Sequence, residues 1–474
     1  MRKERVRAVL PSSLFILPSS FGGDEAGWRK SQLGMTLVVF IAFFGFNFVM
    51  PILPLYVRLL GVTDVSQAAL LTGVMLAVSP LLSAFFAPLW GMVADRLGRK
   101  RMVQRSLVVF AIASTLMGLV TSVWQLFLLR AAIGVFGGFT SMTMAYTVAV
   151  APASKASSAL GLNQFAQVAG TIVGPLCAGF IADHFGLRAS FFSGAAVILL
   201  GLVALTVLTQ DDRALSASLR GRQRGADPEG AIAAPAEALG DRRAPQPPAA
   251  GAAPAPAEAL GHHAGVAGAA GLRAATRLPG LMPVMAILFL AQFVDRSFGP
   301  ILPLYVAGLG TPPDQVASYS GTIISLAAVG TGLSAAVLGH LAVRLPIRRL
   351  LLVTLLAGAL LCFPMALVRT PFELLIARAL LGLFAGGTLT LAYSLANQII
   401  PPEAKGAAFG VLSSTALLGS ASSPLATGAL ARLDLRTIFV VDSVLYAVAL
   451  LWAIKGTGKP APSLTGRMQH STLT

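Results

Sequence analysis

Charge is scarce in this chain. Asp, Glu, Lys and Arg together make up 11% of its 474 residues, against about 25% in a soluble domain. A water-exposed surface cannot be built from so few charges at this length, so a soluble interaction protein is excluded and a polytopic membrane protein remains. Cysteine is scarcer still. Cys177 and Cys362 both lie inside apolar runs, which argues against a disulfide framework or zinc site and leaves two small packing residues. The five histidines, His184, His262, His263, His340 and His470, stand beside no embedded cluster of acids or serines. No catalytic constellation and no metal site is expected, and the chain does not read as an enzyme. KGTGKP at 455–460 lacks the spacing of a phosphate loop, which removes an ATP-driven pump. No cofactor is expected.

Long apolar runs are abundant. A helix needs about 20 apolar residues to cross the hydrocarbon core, and twelve segments qualify. They run over 34–58, 68–92, 103–122, 124–150, 157–182 and 189–209, then over 281–308, 316–343, 348–368, 371–398, 404–431 and 436–456. The expected class is an all-α membrane protein with twelve transmembrane helices in two pseudo-symmetric six-helix bundles, 34–209 and 281–456. The intervening 210–280 is rich in Ala, Pro, Gly and Arg and poor in large apolar residues, and reads as a disordered linker. The start imitates a secretory signal, but Pro11 and Pro18 interrupt its apolar run and the polar DEAGWRK follows. Residues 1–33 therefore read as a tail, as do 457–474.

The net charge of +16 is explained by placement. With the N-terminus inside, inner segments hold 27 Lys and Arg, outer loops hold five and spans hold three: Arg130, Arg296 and Arg378. The positive-inside rule puts both termini and the linker in the cytoplasm. With no basic face and no interleaved aromatics, nucleic acid is not expected as a partner.

The heptapeptide PILPLYV occurs twice, at 51–57 and at 300–306. The match extends further: GMVADRLGRKR at 91–101 aligns with GHLAVRLPIRR at 339–349, and QLFLLRAAIGVFGG at 125–138 aligns with ELLIARALLGLFAG at 373–386. VGPLCAGFIA at 173–182 aligns with SSPLATGALA at 422–431, and every offset is 248 or 249. A six-span unit has been duplicated in parallel, an arrangement that places a substrate site near the bilayer midplane between two rocking halves. Pro51, Pro54, Pro300 and Pro303 are expected to kink spans one and seven at symmetric positions.

On these features the chain resembles the major facilitator superfamily, and within it the twelve-span drug:proton antiporters of the multidrug resistance type. GMVADRLGRKR matches that superfamily's loop signature at all seven specified positions. The resemblance implies a cytoplasmic gating loop built on Gly91, Asp95, Arg96, Gly98 and Arg99. The second half puts Val343 in place of the Asp and Pro346 in place of the second Gly, so the latch is expected to be one-sided. LFLLRAAIGVFGG resembles the membrane-embedded arginine motif, with Arg130 and Gly134 in place. An embedded arginine is functional, paired or snorkelling. GTIVGPLCAG, with Gly170, Gly174, Pro175 and Gly179, resembles the signature that separates antiporters from importers. Ala178 replaces one of its usual glycines. PILP matches a span-one motif of the drug exporters.

The sequence also departs from that pattern. Span one carries no carboxylate, only Asn47, in FIAFFGFNFVMPILPLYV. Asp295 in span seven sits about 14 residues from the inner end, near mid-membrane at about 1.5 Å per residue. It is the candidate carrier of a coupling proton, able to meet Arg378 or Arg130. A permanent pair with an arginine, Arg296 included, is the competing reading. Asp442 lies on span twelve, which packs outside the cavity in this fold, and reads as structural. Phe40, Phe43, Phe44, Phe46 and Phe48 offer an aromatic surface on span one, part of it expected to face lipid. The expected activity is export of a lipophilic or amphipathic small molecule across a bacterial inner membrane, in exchange for protons and by alternating access. Proton-coupled import of a nutrient is the alternative. One chain holds a complete cavity, so a monomer suffices.

Overall fold

Twelve helical rods follow one another along the chain, with no strand among the described residues, which are 25–152, 155–210, 280–400 and 405–456 of the computed structural model. The expected linker, all but the last nine residues of the N-terminal tail, and the C-terminal tail lie outside the described residues. Eight rods are continuous: span two Val65–Leu97, three Arg99–Leu119, five Ala156–Phe185, six Leu187–Leu208, eight Val316–Arg344, nine Ile347–Met365, eleven Lys405–Leu430 and twelve Thr437–Gly456. Four are broken. Span one is Glu25–Phe46 and Leu53–Leu59, and span seven is Leu281–Ser297 and Leu302–Gly308, bent by 48°. Span four is Val123–Phe136 and Phe139–Val150, and span ten is Pro371–Ala385 and Thr388–Ile399.

The breaks follow the repeat because their causes are local. Pro51 and Pro300 lie in the gaps of spans one and seven. Pro54 and Pro303 sit in the first turn of the helix that resumes, where a missing N–H leaves no hydrogen bond unmade. Spans four and ten break at the glycine pairs Gly137–Gly138 and Gly386–Gly387, with Gly138 left-handed at φ 93°. The tyrosine of each heptapeptide then anchors the resumed helix. Tyr56 donates to the carbonyl of Met117 on span three at 2.8 Å, and Tyr305 to that of Met365 on span nine at 2.9 Å.

Two rods differ from what apolarity alone suggests. Span one begins at Glu25, nine residues before its apolar run, and Ser31 and Gln32 are buried. The added turns are polar and tied to other helices: Gln32 donates to the carbonyl of Ala159 at 3.1 Å and to Asn163 Oδ1 at 3.0 Å, and Asn163 donates to Thr147 on span four at 2.6 Å. Among the described residues ten helices are long and apolar enough to cross a membrane, eleven with the bent span seven. The twelfth rod, span eleven, carries five serines and four glycines. Ser414, Thr415 and Ser422 turn their hydroxyls back onto their own helix, and Ser423 donates to span seven.

Spans one to six form one bundle and seven to twelve the other, with matching neighbours: one on five and six, three on six, seven on eleven and twelve, nine on twelve. Two seams join the halves, span five along span eight and span two along span eleven. The seams are tight at one end only. There the short helices Leu53–Leu59 and Leu302–Gly308 approach each other, and the Asp183 carboxylate accepts the N–H groups of Ala317 at 3.2 Å and Ser318 at 2.6 Å, at the start of span eight. An acid at a helix N-terminus is favourably placed. At the opposite end a Cβ at Gly91 or Gly339 would meet nothing within 4 Å, and Met92, Leu97 and Val343 are exposed. The halves are therefore closed at the 185–187 and 309–316 turns and parted at the 97–99 and 344–347 turns.

Candidate transport site

The span-five segment that carries Gly170, Gly174, Pro175 and Gly179 is a double backbone contact. A Cβ on Gly170 would lie 2.7 Å from the Phe40 carbonyl and 2.8 Å from the Phe44 nitrogen of span one; one on Gly174 would lie 2.6 Å from the Phe44 carbonyl. Real Cβ contacts do not come under about 3.0 Å, so only glycine lets these two helices approach so closely. On its other face Gly179 meets the Ala317 carbonyl of span eight, and the Pro175 carbonyl meets Gly321. The second half repeats the device. Gly419 meets the Phe289 carbonyl, Gly428 meets Ala69 and Leu70 of span two, and Pro424 meets Gly73. At the position matching Gly174 stands Ser423, whose hydroxyl donates to the Phe293 carbonyl instead.

Asn47, at the break of span one, donates to the Phe43 carbonyl at 2.7 Å and to Thr171 of span five at 3.4 Å. It joins the two helices beside Gly174. Four of the five phenylalanines of span one are half-buried. Phe46 lies between Phe110 and Phe139, with ring centroids 4.1 and 5.3 Å away, and Phe48 is buried.

The embedded arginines part company. Arg130 is half-buried and tied to span two: its Nε donates to the Met75 carbonyl at 3.4 Å, while its own carbonyl accepts from Ser79 at 2.6 Å. Its counterpart Arg378 lies flat on the Phe298 ring, 3.5 Å from the centroid, a stacked cation that favours a planar guanidinium. Phe298 sits in the break of span seven.

The carboxylates divide in the same way. Asp295 is 52% exposed and its ion pair is with Arg296, its chain neighbour, at 3.6 Å. Of the partners considered from the sequence, the structure brings it to Arg296 rather than to Arg130 or Arg378. Asp442 is fully buried and accepts a 2.6 Å hydrogen bond from Ser297, the last residue before the span-seven break. Its other oxygen, Oδ1, has no hydrogen-bond partner. Arg378 lies within electrostatic range of it. The signal for Asp442 was present in the sequence, an acid within an apolar span, but its neighbours come from spans seven, nine and ten and are not legible from span twelve alone.

In the loop between spans two and three, Gly98 takes φ 99°, a conformation open to glycine, while Pro346 ends the matching turn in the second half. Arg96 is exposed, and the side chain of Asp95 lies outside those described. Arg105, two turns further along span three, leaves the loop group altogether. It donates to the carbonyls of Phe136 and Gly137 at 3.0 and 2.9 Å, and its guanidinium lies 3.5 Å from the centroid of the Trp90 ring. Trp90 in turn donates to the Val135 carbonyl at 2.6 Å. The carbonyls freed by the span-four break are thus capped by spans two and three, a role not visible in the sequence.

Fold, duplication and paired seams define a two-bundle secondary transporter. The family model described as Major Facilitator Superfamily matches residues 35–371 and 284–472, and the chain belongs to that superfamily. It is 32% identical over 438 residues to multidrug resistance protein MdtG of Escherichia fergusonii, covering 90% of this chain and 95% of that protein. It is 29% identical over 446 residues to MdtG of Klebsiella pneumoniae, covering 94% and 97%. Among solved structures, a bacterial homologue of the human lysosomal transporter Spinster, inward-facing and occupied, aligns with TM-score 0.66 at 16% identity over 90% of this chain and 96% of that one. The nucleoside transporter NupG aligns with TM-score 0.66 at 14% identity over 90% and 99%. At those identities the structural likeness speaks to the fold alone.

Proposed function

We propose that this protein exports lipophilic or amphipathic small molecules across a bacterial inner membrane, by proton antiport and alternating access. The observation that carries the reading is the full-length similarity to multidrug resistance proteins, and the glycine–proline contact of span five supports it. Both termini and the linker 210–280 lie in the cytoplasm, the orientation that puts 27 Lys and Arg inside against five in outer loops. The parted end of the molecule then faces inward, and the loop Gly91–Arg101 is the latch that closes it. Bundles 34–209 and 281–456 rock about the seams, with the breaks at Pro51, Pro54, Pro300 and Pro303 as hinges. One chain supplies both halves, so the working unit is a monomer. Asp295 is a proton-exchanging carboxylate open to water, and Arg130, Arg296 and Arg378 suit neutral or anionic amphiphiles at least as well as cations.

The test is flux in everted vesicles energised to an acid interior. Ethidium, Nile red and anilinonaphthalene sulfonate serve as cationic, neutral and anionic probes, with proton release recorded alongside. Uptake of a probe that collapses with the pH gradient, and fails in Asp295→Asn, establishes antiport through that residue. Uptake that survives in Asp295→Asn moves the proton site elsewhere. No probe uptake, with gradient-driven nutrient movement in right-side-out vesicles, makes the protein an importer.

A further inference from the structure

The break of span seven is held from two sides. On one side Ser297, the last residue before the gap, donates to Asp442 of span twelve at 2.6 Å. On the other, Phe298, the first residue of the gap, lies under the Arg378 guanidinium of span ten. Asp442 is 0% exposed, and its Oδ1 lacks a partner. A buried carboxylate held in this way is incompletely satisfied. Ionised, it has one hydrogen bond and the nearby Arg378 charge, with an oxygen left bare; neutral, it loses the attraction to Arg378 but sheds most of the burial cost. The first half has no such arrangement: the positions matching Ser297 and Asp442 are Phe48 and Gly194, which lie against each other with no polar group between them.

We propose that Asp442 is a proton-binding site of the transport cycle, and that its occupancy governs the span-seven break. A proton taken from water adds to the carboxylate, making a neutral acid with no other bond formed or broken. Because Asp442 is sealed from solvent in this state, that proton can enter or leave only when the helices around it part, and Ser297, its one hydrogen-bond donor, puts the span-seven break at that point. Protonation and hinge movement are thus obliged to occur together, which is what coupling requires. The groups facing Asp442 are few. Span nine contributes Cys362, span ten Arg378, and span twelve itself Tyr446, which in turn lies in range of Asp295 on span seven. Beyond the break, Tyr305 carries the influence of Arg436 and Asp434. Span eleven brings no titratable side chain over 408–430. Arg378 is therefore the cation that distinguishes the two charge states: the proton added to Asp442 removes its attraction to the carboxylate while its contact with Phe298 stays.

The inference rests on the transporter reading, but its first measurement does not need a substrate. Infrared difference spectra of the purified full-length protein in lipid, recorded across a pH series, report the C=O stretch of a protonated carboxyl. The expected result is a band that appears on acidification, vanishes in Asp442→Asn, survives in Asp295→Asn, and appears at a different pH in Ser297→Ala. A band untouched by Asp442→Asn, or one whose pH is the same in Ser297→Ala, overturns the proposal. Ser297→Ala keeps the carboxylate and serves if Asp442→Asn does not fold. In everted vesicles, gradient-driven ethidium accumulation should fall by at least about tenfold in Asp442→Asn; unaltered coupling there also overturns it. Should no probe be transported by the unmodified protein, the export reading fails while the infrared result still decides the proton site.

Discussion

Pro175 of span five turns its carbonyl onto Gly321 of span eight, so closely that no Cβ fits between them. The second half makes the same contact between Pro424 and Gly73. Two related seams thus close one end of the molecule by backbone contact, and what fills that contact sets how far the halves can rock.

Gly321→Leu and Gly73→Leu should each wedge a seam apart and favour the state open at that end, since overpacking a tight contact costs about 1–3 kcal/mol. With Cys177 and Cys362 replaced by alanine, a cysteine at Ser318 should react faster with a membrane-impermeant maleimide when Gly321 is leucine. Unchanged labelling would mean the glycine contact does not hold the gate.

Asp183 is the polar part of that gate. Asp183→Asn keeps the shape but removes the charge at the start of span eight, and the closed end should loosen by about 0.5–1 kcal/mol. The same maleimide assay reads it, and a labelling rate unchanged in Asp183→Asn would mean the charge adds nothing to the gate.

Tyr56 and Tyr305 perform the same task in the two halves. Tyr56→Phe and Tyr305→Phe should each cost about 1 kcal/mol, because the carbonyls of Met117 and Met365 lose their donors. The sites share no partner, so the double variant should show the sum. Thermal unfolding in detergent measures this, and a strongly non-additive double variant would show that the halves communicate through these anchors.

Arg105→Ala strips the carbonyls of Phe136 and Gly137 and uncovers the Trp90 ring. A loss of about 2–3 kcal/mol is expected. Arg105→Lys should recover only part of it, because an ammonium lacks the planar fork that reaches both carbonyls while stacking. Equal melting temperatures for the two variants would reduce Arg105 to a simple charge.

Much of the fold was legible because its signals are local or periodic. Apolar runs mark the rods, PILPLYV marks the breaks of spans one and seven, and the 248–249 offset marks the duplication. Three features were not legible. Span one runs further than its apolar stretch because Gln32 finds partners on another helix. The glycine pair Gly137–Gly138 has the same composition as packing glycines elsewhere, and only the geometry shows a break. Arg105 stands among loop arginines in sequence yet caps span four.

The sequence by itself determined a membrane transporter of twelve spans, a six-span unit written twice, with proline breaks at matching positions. Those properties depend on composition, period and the backbone chemistry of single residues. The tertiary structure alone decided which acid is sealed from water. Asp295 and Asp442 both lie within apolar runs, and nothing in either run tells them apart by burial. Burial is settled by which helix faces meet, and the meeting of spans seven, ten and twelve encloses Asp442 while leaving Asp295 half in the open.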